Sequence, residues 1–196
     1  MTFDLTQWIH IAGYTGILLI IFLQTGLLLG FFFPGDSLLF TAGFLASQHY
    51  LNIYILTPAV TIIAIVGYAV AYWLGKLIGH WLLQRKDTWY FKKRYLEEAK
   101  LFYEKQGAVA LIMGRLIPLV RTFVPIVAGM AEMNYVKYTI HNIIGGFLWA
   151  TGITLLGYFL GEKIPNVQHY ILPVVVVVVV VSLLPGVWHV LRKRLN

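Results

Sequence analysis

The chain alternates between long apolar runs and short polar or breaking signals, and the breaks are the informative part. From Gly13 to Phe33 it is almost continuously apolar, interrupted by Gln24, Gly26 and Gly30. Phe33-Pro34-Gly35-Asp36-Ser37 follows, in which Pro-Gly signals a turn and Asp36 and Ser37 can cap the next apolar piece, Leu38 to Ala46. That piece is too short for the roughly 20 residues a helix needs to cross a bilayer. Two arrangements satisfy this pattern: a full span followed by a half helix, or one re-entrant hairpin with the Pro-Gly-Asp turn at its tip. Pro58 to Leu83 is the clearest span, with Gly67, Gly75 and Gly79 offering close helix contacts. Gln84 to Gln106 is polar, but its aromatic and aliphatic residues recur at helical spacing, which predicts an amphipathic helix lying on the interface and ending near Gly107. Two further apolar spans are expected, Tyr138 to Leu160 and Tyr170 to Leu191. The second contains an uninterrupted run from Val174 to Val181, which reads as a passive lipid-facing helix.

Between the amphipathic segment and those spans lies Gly114 to Gly129, GRLIPLVRTFVPIVAG. Arg115 and Arg121 sit in an apolar setting with Pro118 between them and Pro125 after them. A charged side chain at the bilayer centre costs about 2.5 to 3.5 kcal/mol even on the gentlest insertion scale. Proline lacks a backbone donor and clashes with the preceding turn, so a plain spanning helix is disfavoured here. A broken or re-entrant hairpin is expected, packed in protein or lining a watery cavity that both arginines face.

Composition fixes the class. Of 196 residues 59% are hydrophobic and only 12% charged, with a mean hydropathy of +0.77, where soluble domains carry about 25% charged residues. This predicts an all-α polytopic membrane protein with a single membrane domain over residues 1–196. With no cysteine, thiolate nucleophiles, thiolate metal sites and disulfides are excluded. The net charge of +7 is uneven: eight of the fifteen Lys and Arg lie between Lys76 and Lys105, and Arg192, Lys193 and Arg194 close the chain. Basic clusters beside spans mark the cytoplasmic face and anionic headgroups, so the 84–106 segment and the C-terminus are placed in the cytoplasm. No nucleic-acid partner is expected, because no basic surface exists beyond those flanks.

Two spans separate the two basic clusters, which requires that the arginine segment not cross the membrane. The two hairpins then enter from opposite faces. Each is followed by a span with a similar phrase, Tyr72-Trp73-Leu74-Gly75-Lys76 and Tyr158-Phe159-Leu160-Gly161-Glu162, a faint internal repeat. The expected organisation is repeat 1 over about 13–83, the amphipathic linker 84–106, repeat 2 over about 107–161 and a C-terminal helix over about 168–191. Opposed repeats whose broken helices meet at mid-membrane are a transporter architecture.

Phe33-Pro34-Gly35-Asp36-Ser37 and Gly114-Arg115-Leu116-Ile117-Pro118-x-x-Arg121-Thr122-x-x-Pro125-x-x-Ala128-Gly129-Met130, with Asn142, Gly145, Gly146 and Trp149 after them, closely resemble the DedA family of membrane proteins. The resemblance covers nearly the whole chain. It implies two opposed re-entrant hairpins and movement of lipids between leaflets, in particular of undecaprenyl phosphate carriers across the bacterial inner membrane, with dependence on proton motive force. Family members carry two acidic positions on the first hairpin and two arginines on the second. Asp36, Arg115 and Arg121 match, while the other acidic position falls on Gln24 and a usual Asp after Gly67 is replaced by Tyr68. Both departures remove carboxylates, and they bear on proton coupling more than on lipid handling.

The chemistry of the residues points to the same place. Arginine offers a permanently charged fork of donors suited to phosphate oxygens, and a half-helix N-terminus adds backbone donors. Arg115, Arg121 and Ser37 are therefore the expected ligands of a lipid phosphate. Asp36 is the expected counter-ion of an arginine in the empty site and, with Gln24 beside it, the coupling position. Pro34, Gly35, Pro118, Pro125 and Asn142 support the hairpins. A fixed buried ion network that only holds the hairpins together is the alternative for the charged residues. Asn142 with Gly145 and Gly146 reads first as tight helix packing, and His141 as a capping or solvated group. No cofactor or metal is expected. The partners are membrane lipids, a polyprenyl phosphate and anionic headgroups at the 84–106 helix, and a homo-oligomer is left open. Catalysis is disfavoured because no Ser-Gly-His phrase, His-x-x-x-His pair or paired Asp cluster is present. A proton- or ion-coupled small-solute transporter and a structural membrane protein without transport are the rival functions.

Overall fold

A computed structural model describes residues 5–27, 35–83, 101, 109–116 and 120–163. The turn at Pro34, the break at Pro118, the amphipathic helix over 84–106 apart from Leu101, and the valine-rich C-terminal span lie outside the described residues. The described residues are helical apart from short turns and connections, with no strand among them. In chain order they form α1 (Leu5–Gly26), α2 (Gly35–Ser47), α3 (Ile53–Leu83), α4 (Val109–Leu116), α5 (Val124–Met130) and α6 (Tyr135–Gly146). A π-helical turn (Phe147–Thr151) then carries α6 on into α7 (Gly152–Lys163) without a break.

Two helices are long and apolar enough to cross a bilayer, Ile53–Trp81 and Tyr135–Lys163. They begin earlier than the apolar runs do, because capping residues rather than hydropathy set their starts. Asn52 Oδ1 accepts from the Tyr54 amide at 2.9 Å, so α3 starts before Pro58, which sits inside it. Asn134 Oδ1 takes the amides of Val136 and Lys137 at 3.0 and 3.1 Å. Each cap follows a short helix that ends in the same way. His49 (φ 64°) and Glu132 (φ 53°) occupy the left-handed position after α2 and α5. The amides of Tyr50 and Met133 reach back to the carbonyls of Leu45 and Ala128, each at 3.1 Å.

The long helices run antiparallel. Thr61 meets Thr151, Ile65 meets Asn142, Tyr68 meets Tyr138 and Tyr72 meets Tyr135, so one number falls as the other rises. In each half the first arm packs on the long helix that follows it. α1 runs along α3, with Tyr14 OH accepting from the Asn52 amide at 2.7 Å and Gly26 against Gly67, and α4 runs along α6. The second arm packs on the long helix of the other half. In α2, Phe40 lies on Gly157 and Ser47 on Gly161, while in α5 Ile126 lies on Gly75 and Met130 on Gly79.

The solvent-facing side of this bundle is apolar. Leu77 is 67% exposed, Ile62 61% and Leu156 58%, whereas Gln24, Arg115, Arg121 and Asn142 are buried. A surface of exposed Leu, Ile and Phe around buried polar groups suits lipid rather than water as solvent. Two apolar cores flank the middle. Ile21, Leu39, Leu56, Val60 and Trp149 form one, and Tyr72, Leu111, Val124, Ala128 and Tyr138 the other. The polar residues collect between them.

Candidate functional site

Three helix ends bring the polar groups together. Asp36 stands in the first turn of α2, Arg115 in the last turn of α4, and Arg121 in the turn that leads into α5. Pro125 occupies the first turn of α5, where its missing donor costs no helical hydrogen bond. The long helices supply the walls: Tyr68 from the middle of α3, Asn142, Gly145 and Gly146 from α6, and Trp149 from the π turn.

The two arginines are held differently. Arg121 donates through Nη1 to Asp36 Oδ1 in an ion pair joining the two hairpins, and its guanidinium lies 5.2 Å from the centre of the Trp149 ring. Arg115 is 4% exposed, and among the described residues no carboxylate pairs with it. Its Nη1 donates to the Asn142 carbonyl at 2.8 Å and its Nη2 to Asn142 Oδ1, while its guanidinium stacks 3.7 Å from the centre of the Tyr68 ring. Asn142 is fixed in turn by donating Nδ2 to the Ile65 carbonyl at 3.0 Å. Gly145 and Gly146 make room, because a Cβ on either would come within 3.1 Å of the Arg115 side chain. A buried guanidinium satisfied by a carbonyl, an amide and a ring face has, among the described residues, no anion beside it.

Asn142 thus does more than pack helices: it is the clamp of Arg115. Tyr68, which stands where a carboxylate was expected, supplies the aromatic face instead. Gln24 is 2% exposed, its amide lies against Gly35, and neither Oε1 nor Nε2 has a hydrogen-bond partner among the described residues. A Cβ at position 35 would overlap that amide, which explains the glycine. Ser37 is buried in the first turn of α2 beside Asp36. His141 is not part of the site: its Nδ1 contacts the Lys137 carbonyl at 2.8 Å on the exposed side of α6. No group of three metal-ligating side chains occurs among the described residues.

Tyr68 and Trp149 are the residues whose part in the site the sequence pattern did not disclose. The signal for Trp149 was its position, since tryptophan belongs at membrane interfaces and this one lies inside an apolar span. For Tyr68 the only signal was the missing carboxylate.

Comparison with known proteins finds a family model and similar membrane proteins. Residues 33–159 match the family model described as the VTT domain. The chain is 43% identical over 183 residues to Protein DedA of Escherichia coli (strain K12), covering 92% of this chain and 83% of that protein. It is 38% identical over 202 residues to the uncharacterized membrane protein ML0287 of Mycobacterium leprae (strain TN), covering 98% and 90%. It is 34% identical over 155 residues to the inner membrane protein YqjA of Escherichia coli (strain K12), covering 76% and 68%. No solved structure matches the chain.

Proposed function

This chain belongs to the VTT-domain family, the DedA family of membrane proteins, and from that membership we propose that it carries a lipid phosphate, with undecaprenyl phosphate or a related polyprenyl phosphate as the cargo, across the bacterial inner membrane. One observation supports the reading above the others: Arg115, a buried cation that no carboxylate among the described residues pairs with, beside Arg121, whose carboxylate comes from the opposite hairpin. A phosphate crossing a bilayer needs its charge compensated at mid-depth, and two guanidiniums on breakable helix ends supply that compensation. Asp36 replaces the phosphate in the empty site and is the coupling group; Gln24, an amide, is a neutral support. The protein acts as a carrier and not as an enzyme in this proposal.

In this proposal the two hairpins re-enter from opposite faces as an inverted repeat. Its support is the swapped seating, each short helix lying on the long helix of the other half, and the antiparallel course of those long helices. The basic end of α3 and the 84–106 segment face the cytoplasm. Single cysteines at His49 and Glu162 are then expected to react with an impermeant thiol reagent from outside, and ones at His80 and Glu132 only from the cytoplasm. Labelling of His49 and Glu132 from the same face would remove the inverted repeat.

The cargo is tested by binding. Purified protein in detergent should bind a labelled polyprenyl phosphate and not the uncharged polyprenol, and Arg115→Met should lose about tenfold or more in affinity. Equal binding of the phosphate and the alcohol would refute the phosphate site. A fixed ion network without transport is the second reading, favoured by the direct Asp36–Arg121 pair.

A further inference from the structure

Trp149 has no part in the proposal above, yet it touches both members of the ion pair. Its indole Nε1 donates at 2.8 Å to Asp36 Oδ1, the same oxygen that accepts from Arg121. Its ring lies beneath the Arg121 guanidinium. The residue is 6% exposed and packed in the first apolar core, so the indole has little freedom to turn away. It sits at the centre of the π-helical turn, whose far end is pinned by Thr151 Oγ1 to Thr61 Oγ1 on α3 at 2.9 Å. A π turn carries an extra residue, so it changes which side chains face a neighbouring element, and such turns concentrate at functional sites. Here the side chain it presents to α2 is the one that grips Asp36.

The carboxylate is the more exposed member of the ion pair. The Asp36 side chain is 41% exposed, against 10% for Arg121, so it has open space to move into while the arginine does not. An oxygen held by a charged and a neutral donor is harder to displace than one held by the arginine alone.

We propose that Trp149 is a positioning residue that latches Asp36 onto Arg121 in the empty site, so that an anionic phosphate headgroup gains Arg121 only by displacing the carboxylate from both donors. This rests on the lipid-phosphate reading for its ligand and adds the element that sets the threshold for occupancy. The latch opposes binding, so weakening it strengthens binding, which is the reverse of what damage to a merely structural residue would do.

Trp149→Phe keeps a ring under Arg121 and removes the donor. In the empty protein, the indole N–H resonance assigned to Trp149 by its loss in that variant is expected to resist solvent exchange, and to lose that protection in Asp36→Ala. Labelled polyprenyl phosphate should then bind Trp149→Phe about three- to tenfold more tightly than wild type. In the Asp36→Ala background the same substitution should change affinity by less than about twofold, because the partner it acts through is gone. An indole signal indifferent to Asp36, or an equal affinity change in both backgrounds, would overturn the latch. Wild-type protein that fails to prefer the phosphate over polyprenol would instead refute the lipid-phosphate reading, and the indole signal would still decide whether Trp149 holds Asp36.

Discussion

Arg115→Lys and Arg121→Lys are each expected to lose about tenfold or more of transport, although the charge is kept. Arg115 uses two separate nitrogens, one for the Asn142 carbonyl and one for Asn142 Oδ1, and its planar face for Tyr68. A lysine has a single nitrogen and no plane. Its three donors radiate from one point, so it cannot reproduce the fork while lying flat on the ring, and the position from which a phosphate would be gripped is lost. Because this fork also ties α4 to α6, Arg115→Lys should lower the melting temperature as well. Arg121→Lys differs, since an ammonium can still pair with Asp36 and hold the hairpins together. It should fold at wild-type abundance and fail in transport, because a point charge cannot match two phosphate oxygens at once. Transport rates in vesicles, normalised to inserted protein, check both. Wild-type rates in both lysine variants would mean that the arginines serve only as packing charges.

Gly43→Ala and Gly129→Ala are expected to prevent accumulation of folded protein. A methyl on Gly129 would lie 2.0 Å from the Tyr72 carbonyl oxygen and 2.9 Å from the Lys76 nitrogen, and one on Gly43 would lie 1.9 Å from the Thr154 oxygen and 3.1 Å from the Tyr158 nitrogen. These neighbours are backbone, so no side-chain rotation relieves the overlap. The short helix must move away from the long one, at about 1 to 3 kcal/mol or more for each site. Gly152→Ala is the control. Nothing lies within 4 Å of its added methyl, and alanine gains about 1 kcal/mol of helix propensity over glycine, so this variant should be as stable as wild type or more so. Melting temperatures in detergent decide it. Equal behaviour of Gly43→Ala and Gly152→Ala would show that the swapped seats do not hold the fold together.

The two seats also show what could be seen in advance. The segment around Arg115 and Arg121 stood out because proline and charge both oppose a continuous apolar helix, and the described residues 120–123 are a turn that leads into α5. The long helices were legible as apolar runs, but their first residues were not, since Asn52 and Asn134 act through local capping geometry that hydropathy does not register. Gly75 could be marked as a contact glycine from its place in a span. That its partner is Ile126 of the other half depends on tertiary arrangement. The same holds for the site. Asp36, Arg115 and Arg121 stood out as charges in apolar surroundings, whereas Tyr68 and Trp149 gained meaning only when the antiparallel crossing of the long helices brought them to the arginines. Asn142 was legible as a packing residue and is in fact the clamp of Arg115, because its side chain points across the helix interface and not along it.

The central claim is that the arginine pair between the hairpins carries a lipid phosphate across the bilayer, and vesicles test it most directly. Protein is reconstituted with a labelled polyprenyl phosphate in the inner leaflet, and its appearance in the outer leaflet is followed with an impermeant quencher. Wild-type protein should speed the appearance of the phosphate and leave the uncharged polyprenol unaffected. The Arg115→Met, Arg121→Met double variant, inserted to the same level, should move the phosphate no faster than empty vesicles do. Equal movement by the double variant and the wild type would contradict the claim.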